Sequence, residues 1–107
     1  MHRIAIKPLS VNEAYRGRRF ATNSLKTYKK ALSLLLPKII VPSSNLRVSY
    51  RFGVSSHASD ADNCIKALQD ALAEQYGFND KKIYRIEVEK VDVKKGSEFL
   101  EFDIAAL

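Results

Sequence analysis

Leu46-Arg47-Val48-Ser49-Tyr50-Arg51-Phe52-Gly53-Val54 alternates apolar and polar side chains with a period of two. Leu46, Val48, Tyr50, Phe52 and Val54 share one side, while Arg47, Ser49 and Arg51 lie between them. That period belongs to a strand with one buried face. The small polar residues 55–59 read as a loop, and the period then changes. Over residues 61–76, Ile65, Leu68 and Leu72, with Cys64 and Ala71, recur at helical spacing, and Gly77 is placed to stop that helix in a left-handed conformation. Residues 83–93 alternate again through Ile83, Arg85 or Ile86, Val88, Val91 and Val93, with one slip in phase that suggests a bulge. Residues 94–97 (Lys-Lys-Gly-Ser) read as a hairpin turn, and residues 99–104 as the returning last strand.

The upstream half reads in the same terms. Residues 2–7 place Ile4 and Ile6 on one side of a short strand. Residues 8–21 read as irregular, with Pro8, Ser10, Asn12 and Gly17 beside the basic cluster Arg16, Arg18 and Arg19. A helix is expected over residues 24–36, capped by Thr22 or Asn23 and ended by Pro37, because the residue before a proline avoids the helical region. Its apolar face carries Leu25, Tyr28, Leu32, Leu35 and Leu36; Lys26, Lys29 and Lys30 lie away from it. The order β-α-β-α-β-β implies an α+β fold: one small domain over residues 1–107, with two helices on a mixed sheet of about four strands.

A chain of 107 residues, 46% hydrophobic and 28% charged, is ordinary for one globular domain. One cysteine excludes an internal disulfide and any zinc site built on several thiolates, and two histidines leave little for a histidine-rich centre. No apolar run approaches the ~18 residues of a membrane span and no signal peptide opens the chain, so a cytoplasmic protein is expected. The net charge of +6 is unevenly spread: residues 1–51 hold eleven Lys/Arg against Glu13 alone, and residues 52–107 hold seven against eleven acids. The basic half suits a polyanion such as DNA. The acidic half suits DNA only where a cation stands between carboxylate and phosphate.

The acids are densest in Ser59-Asp60-Ala61-Asp62-Asn63-Cys64-Ile65-Lys66-Ala67-Leu68-Gln69-Asp70, followed by Asn79-Asp80. Inside one helix Asp60 and Asp62 would point about 200° apart. With Asp60 in extended backbone before the helix, both can face one side. Asp62, Lys66 and Asp70 form a charged line one turn apart. Asp80 returns to the cluster only if the next strand begins near the helix start. Three carboxylates beside a lysine suit a hard cation such as Mg²⁺ or Mn²⁺, and hence phosphodiester hydrolysis. The same residues also fit plain structure: a capping box at Ser59-x-x-Asp62, i, i+4 ion pairs through Lys66, and a turn at Asn79-Asp80.

Asp60-x-Asp62-Asn63-x-x-Lys66-x-x-x-Asp70-Ala71-Leu72, with Gly77-Phe78 and Asp80, resembles the signature of the RusA family of Holliday junction resolvases. Pro8-Leu9-Ser10-Val11-Asn12-Glu13-Ala14-Tyr15-Arg16, followed by Gly17-Arg18 and by Tyr28 in the first helix, is similar to that family's opening. The resemblance spans about residues 4–104 in order. It implies a homodimeric, Mg²⁺-dependent endodeoxyribonuclease, with Mn²⁺ as a substitute, that nicks four-way DNA junctions symmetrically in recombination and repair. Such proteins are commonly encoded by phages and prophages. Asp60, Asp62 and Asp80 then hold metal and are catalytic together with Lys66; Asp70 matches a recurrent position of the family without an assigned role, and its spacing fits a helix-surface ion pair with Lys66. Arg16, Arg18, Arg19, Lys26, Lys29 and Lys30 supply the DNA contacts. One departure is the segment Ser55-Ser56-His57-Ala58-Ser59, where relatives often carry a basic run; His57 reads as a solvated loop residue. Two other readings stand beside this one: a DNA-binding module without catalysis, and a less selective branched-DNA nuclease.

Overall fold

The strand Leu46–Val54 takes the middle of the sheet because both of its sides are covered. The computed structural model describes residues 1–16, 20–56 and 60–107. In chain order it contains β1 (His2–Ile4), α1 (Val11–Ala14), β2 (Tyr15–Arg16), β3 (Phe20–Ala21), α2 (Asn23–Leu35) and β4 (Leu46–Val54). A 3-10 turn (Ala61–Cys64) leads into α3 (Ile65–Tyr76), and a second (Asp80–Lys82) leads into β5 (Ile83–Asp92), before β6 (Phe99–Ala106). The main sheet is mixed, in the order β1-β6-β4-β5, and β2 with β3 forms a separate two-stranded ribbon. This is the expected α+β class.

The core lies between the helices and one face of the sheet. Leu25, Tyr28 and Leu32 from α2, and Ala67, Leu68, Ala71 and Leu72 from α3, pack with Val48, Tyr50, Phe52, Leu100 and Phe102. Burying each of the larger side chains among them is worth roughly 1.5–3 kcal/mol. Two polar tips inside this layer find partners, Tyr50 donating to the Gln69 side chain (2.9 Å) and Tyr76 to the Pro37 carbonyl (2.6 Å), whereas the buried Tyr28 hydroxyl has none among the described residues. Leu35, expected on the apolar face of α2, is 52% exposed. It sits in the last turn, where the chain is already leaving the sheet.

The final hairpin is corrected. The turn exists, with Ser97 N–H donating to the Lys94 carbonyl (2.9 Å) and Gly96 at φ 95°. It does not join neighbours, because β6 crosses over β4 and inserts between β4 and β1. β6 pairs antiparallel with β4 from Leu46↔Ala106 to Gly53↔Phe99, while β5 runs parallel to β4 on the other side. A central strand needs two partners to satisfy its backbone groups, and turn residues carry no information about which two. The slip in β5 is a bulge: Ile83 faces Leu46 and Arg85 faces Arg47, leaving Tyr84 extra.

Three boundaries also differ. The first strand stops at Ile4. The stretch read as irregular contains α1, closed by a capping box in which Ser10 Oγ accepts from Glu13 N–H and the Glu13 carboxylate accepts from Ser10 N–H. The helix expected over residues 61–76 begins as a 3-10 turn, with Asn63 N–H donating to the Asp60 carbonyl (3.2 Å), and turns α-helical at Ile65. Gly77 ends it at φ 69°, ψ 31°. Among the described residues no helix is long and apolar enough to cross a membrane.

Candidate active site

The C-terminal end of β4 delivers the chain to Asp60 and Asp62. Asp60 has extended backbone (φ −78°, ψ 143°) immediately before the 3-10 turn, and Asp62 lies in its first turn. The condition that lets both carboxylates face one side is therefore met. Asp60 occupies the N-cap position but its side chain makes no capping hydrogen bond. Both aspartates are exposed, so the fold leaves the Asp60 oxygens unused for capping. Ser59, the other half of the capping box read from sequence, lies outside the described residues.

One turn further, Lys66 Nζ stands 3.5 Å from an Asp70 oxygen and 4.9 Å from the centre of the Tyr15 ring. The Tyr15 hydroxyl donates to the same Asp70 oxygen. Burial first, then this bond to Asp70, pushes the Tyr15 hydroxyl well above its ordinary pKa, so it remains a donor. Tyr15, Asp70 and Lys66 thus form one connected group, with Lys66 one turn past Asp62 along the chain. Spacing showed the Lys66–Asp70 link. The arrival of Tyr15, 55 residues away, had no local signal beyond its place in the N-terminal motif.

A cleft of about 270 Å³ opens at the same end of the sheet, between Lys7, Ser10, Glu13, Val54, Cys64 and Glu98. Burial, with Glu13 nearby, pushes the Cys64 thiol up to about 11, so it is a protonated packing residue rather than a nucleophile. Hydrogen bonds from the Ser55 hydroxyl (2.7 Å) and the Gly96 N–H (2.7 Å) hold the Glu98 carboxyl below the usual range.

Asp80 is elsewhere. β5 begins beside Leu46, at the opposite end of β4 from Val54, and Lys82 Nζ donates to the Ser43 carbonyl (3.1 Å). The length of α3 plus its leading turn separates Asp80 from Asp62 by on the order of 20 Å. Asn79 turns the chain there by accepting from Lys81 N–H (2.9 Å). Among the described residues no three His, Cys, Asp or Glu side chains stand together as a metal cage. One copy of the chain therefore places Asp60, Asp62 and Lys66 at the start of α3 and Asp70 midway along it, and leaves Asp80 beyond its other end.

Of the basic residues, Lys26 and Lys30 are exposed on α2, while Lys29 bonds Glu74 of α3 at 2.7 Å. Arg18, Arg19 and His57, and the side chain of Arg16, lie outside the described residues.

Comparison with curated proteins returns no match. A family model described as endodeoxyribonuclease RusA matches residues 7–98 of the 107. The matched span runs from just before the Pro8–Tyr15 motif through both aspartates, Lys66, Asp70 and Asp80. The chain belongs to the RusA family of endodeoxyribonucleases.

Proposed function

We propose that the protein resolves four-way DNA junctions by paired symmetric nicks, with Mg²⁺, as a homodimer whose cutting sites each combine Asp60 and Asp62 of one copy with Asp80 of the other. Family membership carries the coarser statement, an endonuclease acting on Holliday junctions. The observation that supports the finer one is that Asp60 and Asp62 are both exposed at the start of the turn, with Asp60 unused in capping and Lys66, paired with Asp70, one turn further on.

The donor set is made of carboxylates, without imidazole or thiolate, and fits a hard, oxygen-preferring cation. Asp60 and Asp62 would hold it. When bound, a divalent cation there supplies Lewis-acid stabilisation of a phosphate oxygen and a more acidic water. Lys66 places a positive charge where negative charge grows on the phosphate as the bond breaks. Asp70 and Tyr15 bias that exposed side chain toward one position, removing part of the entropy cost of aiming it. The N–H groups that open the turn at Ala61 add further positive potential. Contacts along the DNA come from the basic half, through Lys26, Lys30, Arg16, Arg18 and Arg19, with Lys29 shared with Glu74.

Two symmetric cuts require two sites related by a two-fold axis. In that symmetry the separation of Asp80 from Asp60 within one chain is not an obstacle, since the far end of one copy can stand beside the near end of the other. Mixing two inactive variants tests this. Asp60→Asn and Asp80→Asn should each fail to cut alone. Mixed and allowed to exchange subunits, they should regain single-strand nicking, because a heterodimer retains one site with all carboxylates. If the mixture stays dead while mass measurement shows that heterodimers have formed, the shared-site arrangement is wrong.

A further inference from the structure

The chain between α2 and β4 holds an apolar side chain out in water. Ile40 is 97% exposed, more than any other large apolar residue among the described residues. Its neighbours Ile39 and Val41 are half-buried, and Ile39 packs against the core, so the backbone alternates and presents Ile40 outward. The segment is braced against folding back over it. Pro37 and Pro42 fix φ on either side. The Tyr76 hydroxyl donates to the Pro37 carbonyl (2.6 Å), and Lys82 Nζ to the Ser43 carbonyl (3.1 Å). Isoleucine is itself stiff at χ1. A side chain left in water this way contributes nothing to folding through burial.

We infer that Ile40 is a wedge that enters between bases at the branch point of a DNA junction, with lysines on the phosphates beside it. The inference rests on the nuclease reading above and names what would select branched DNA. A cleft of about 290 Å³ separates Val41, Pro42 and Ser43 from Phe78, Asn79 and Lys82, so Ile40 stands on the segment beside the turn that carries Asp80. Residues 36–45 and 77–83 hold Lys38, Lys81 and Lys82, all exposed, against Asp80 alone. That border complements phosphate. A stiff apolar side chain projecting from a cationic border differs from the broad apolar patch that marks a protein interface. It matches the apolar residues that proteins insert between base steps. Opening a step in continuous duplex costs stacking, whereas bases already free to unstack cost least. The wedge therefore favours a junction over a duplex, at the end of the fold where Asp80 lies.

The test measures binding of the full chain in EDTA, so that nothing is cut. The probes are a four-way junction and a duplex of matched sequence, each with 2-aminopurine, which brightens on unstacking, at the branch position. The parent should bind the junction more tightly and brighten the probe there, and not in the duplex. Ile40→Ser has no packing to lose, so its melting temperature and duplex affinity should match the parent's. Its salt dependence should also be unchanged, because no charge is altered. Its junction affinity should fall roughly ten- to hundredfold, the effect of burying one isoleucine side chain. The fluorescence rise should vanish with it, and Ile40→Leu should restore both. Undiminished junction affinity in Ile40→Ser, as expected if the side chain serves a protein partner, would overturn the inference. So would an equal loss on junction and duplex. A parent that cuts the junction with Mg²⁺ but leaves the probe dark would overturn the wedge and leave the nuclease reading standing. A parent that binds no DNA would overturn both.

Discussion

Gly53→Ala tests the strand order that sequence patterning missed. Gly53 pairs with Phe99 across β4 and β6. A Cβ added at Gly53 would lie 3.0 Å from Phe99 Cγ and closer still to Cδ2 and Cε2. Carbon atoms prefer about 3.5–4.0 Å. The ring has little room to retreat, because the Arg3 guanidinium stacks 4.0 Å from its centre and the residue is only 7% exposed. Gly53 has no positive φ, so alanine fits its backbone and the cost is steric. Overpacking of this kind costs about 1–3 kcal/mol. At 2 kcal/mol the melting temperature of a domain this size falls by roughly 10 °C. A double-mutant cycle isolates the cause. Phe99→Ala alone is expensive, roughly 3–5 kcal/mol. In that background Gly53→Ala should be neutral or stabilising, since the ring is gone and alanine reduces the freedom of the unfolded chain. The coupling should therefore be about 1–3 kcal/mol, read from paired denaturant unfolding curves. A neutral Gly53→Ala in the native background, or an equal cost in both backgrounds, would mean that β6 does not lie against β4 here and would restore the β5–β6 hairpin.

Leu68 is 0% exposed, so Leu68→Ala should cost roughly 2–5 kcal/mol in chemical unfolding; a loss below about 1 kcal/mol would mean that the phase of α3, and with it the outward placing of Asp62 and Lys66, is wrong. Burial holds Tyr28 and Tyr50 far above their ordinary range and Cys64 at about 11, so above their unfolded values the native state keeps protons that the unfolded chain has lost. That stability is fully present below about pH 9. It is lost with rising pH at up to ~1.4 kcal/mol per unit per group, the Cys64 share ending near pH 11 and the tyrosine share growing above pH 10, so the slope peaks at about 3 kcal/mol per unit. Unfolding midpoints that stay flat from pH 8 to 11, with all tyrosines ionising near 10, would contradict this. Changing Arg16, Arg18 and Arg19 together to alanine should flatten the log–log salt dependence of duplex binding by ~0.9 per lost phosphate contact; an unchanged slope places the DNA surface elsewhere.

What could be read in advance follows from how local each signal is. β4 matched residue for residue, and α3 within its leading turn, because each buries one face and so repeats at its own period along adjacent residues. The Tyr84 bulge left a phase slip for the same reason. α1 left no such trace: four residues show no periodicity, and its capping box, Ser10 with Glu13, lies in a stretch otherwise rich in turn formers. The place of β6 was invisible because it is decided by which partners complete β4, not by anything in the turn at residues 94–97. The site divides likewise. Asp60, Asp62 and Lys66 lie within seven residues, and their relation followed from helix geometry. The Tyr15–Asp70 bond and the remoteness of Asp80 are products of tertiary packing and of the parallel β4–β5 register.

In the proposed function, carboxylates at the start of α3 cut branched DNA. The direct measurement is cleavage of a labelled four-way junction and a sequence-matched duplex, with Mg²⁺ or EDTA, by the parent protein and by Asp60→Asn, each checked for folding by a melting curve. Paired nicks should appear in the junction but not the duplex, with the parent but not the variant, and with Mg²⁺ but not EDTA. Mg²⁺ should raise the parent's melting temperature and the variant's much less. The variant should still bind the junction, as tightly or more so, since a negative charge facing phosphate is gone. Equal cutting of junction and duplex would make the protein a general nuclease, and no cutting with any divalent ion would make it a binding module. A folded Asp60→Asn protein that cuts the junction at the parental rate would contradict the site itself.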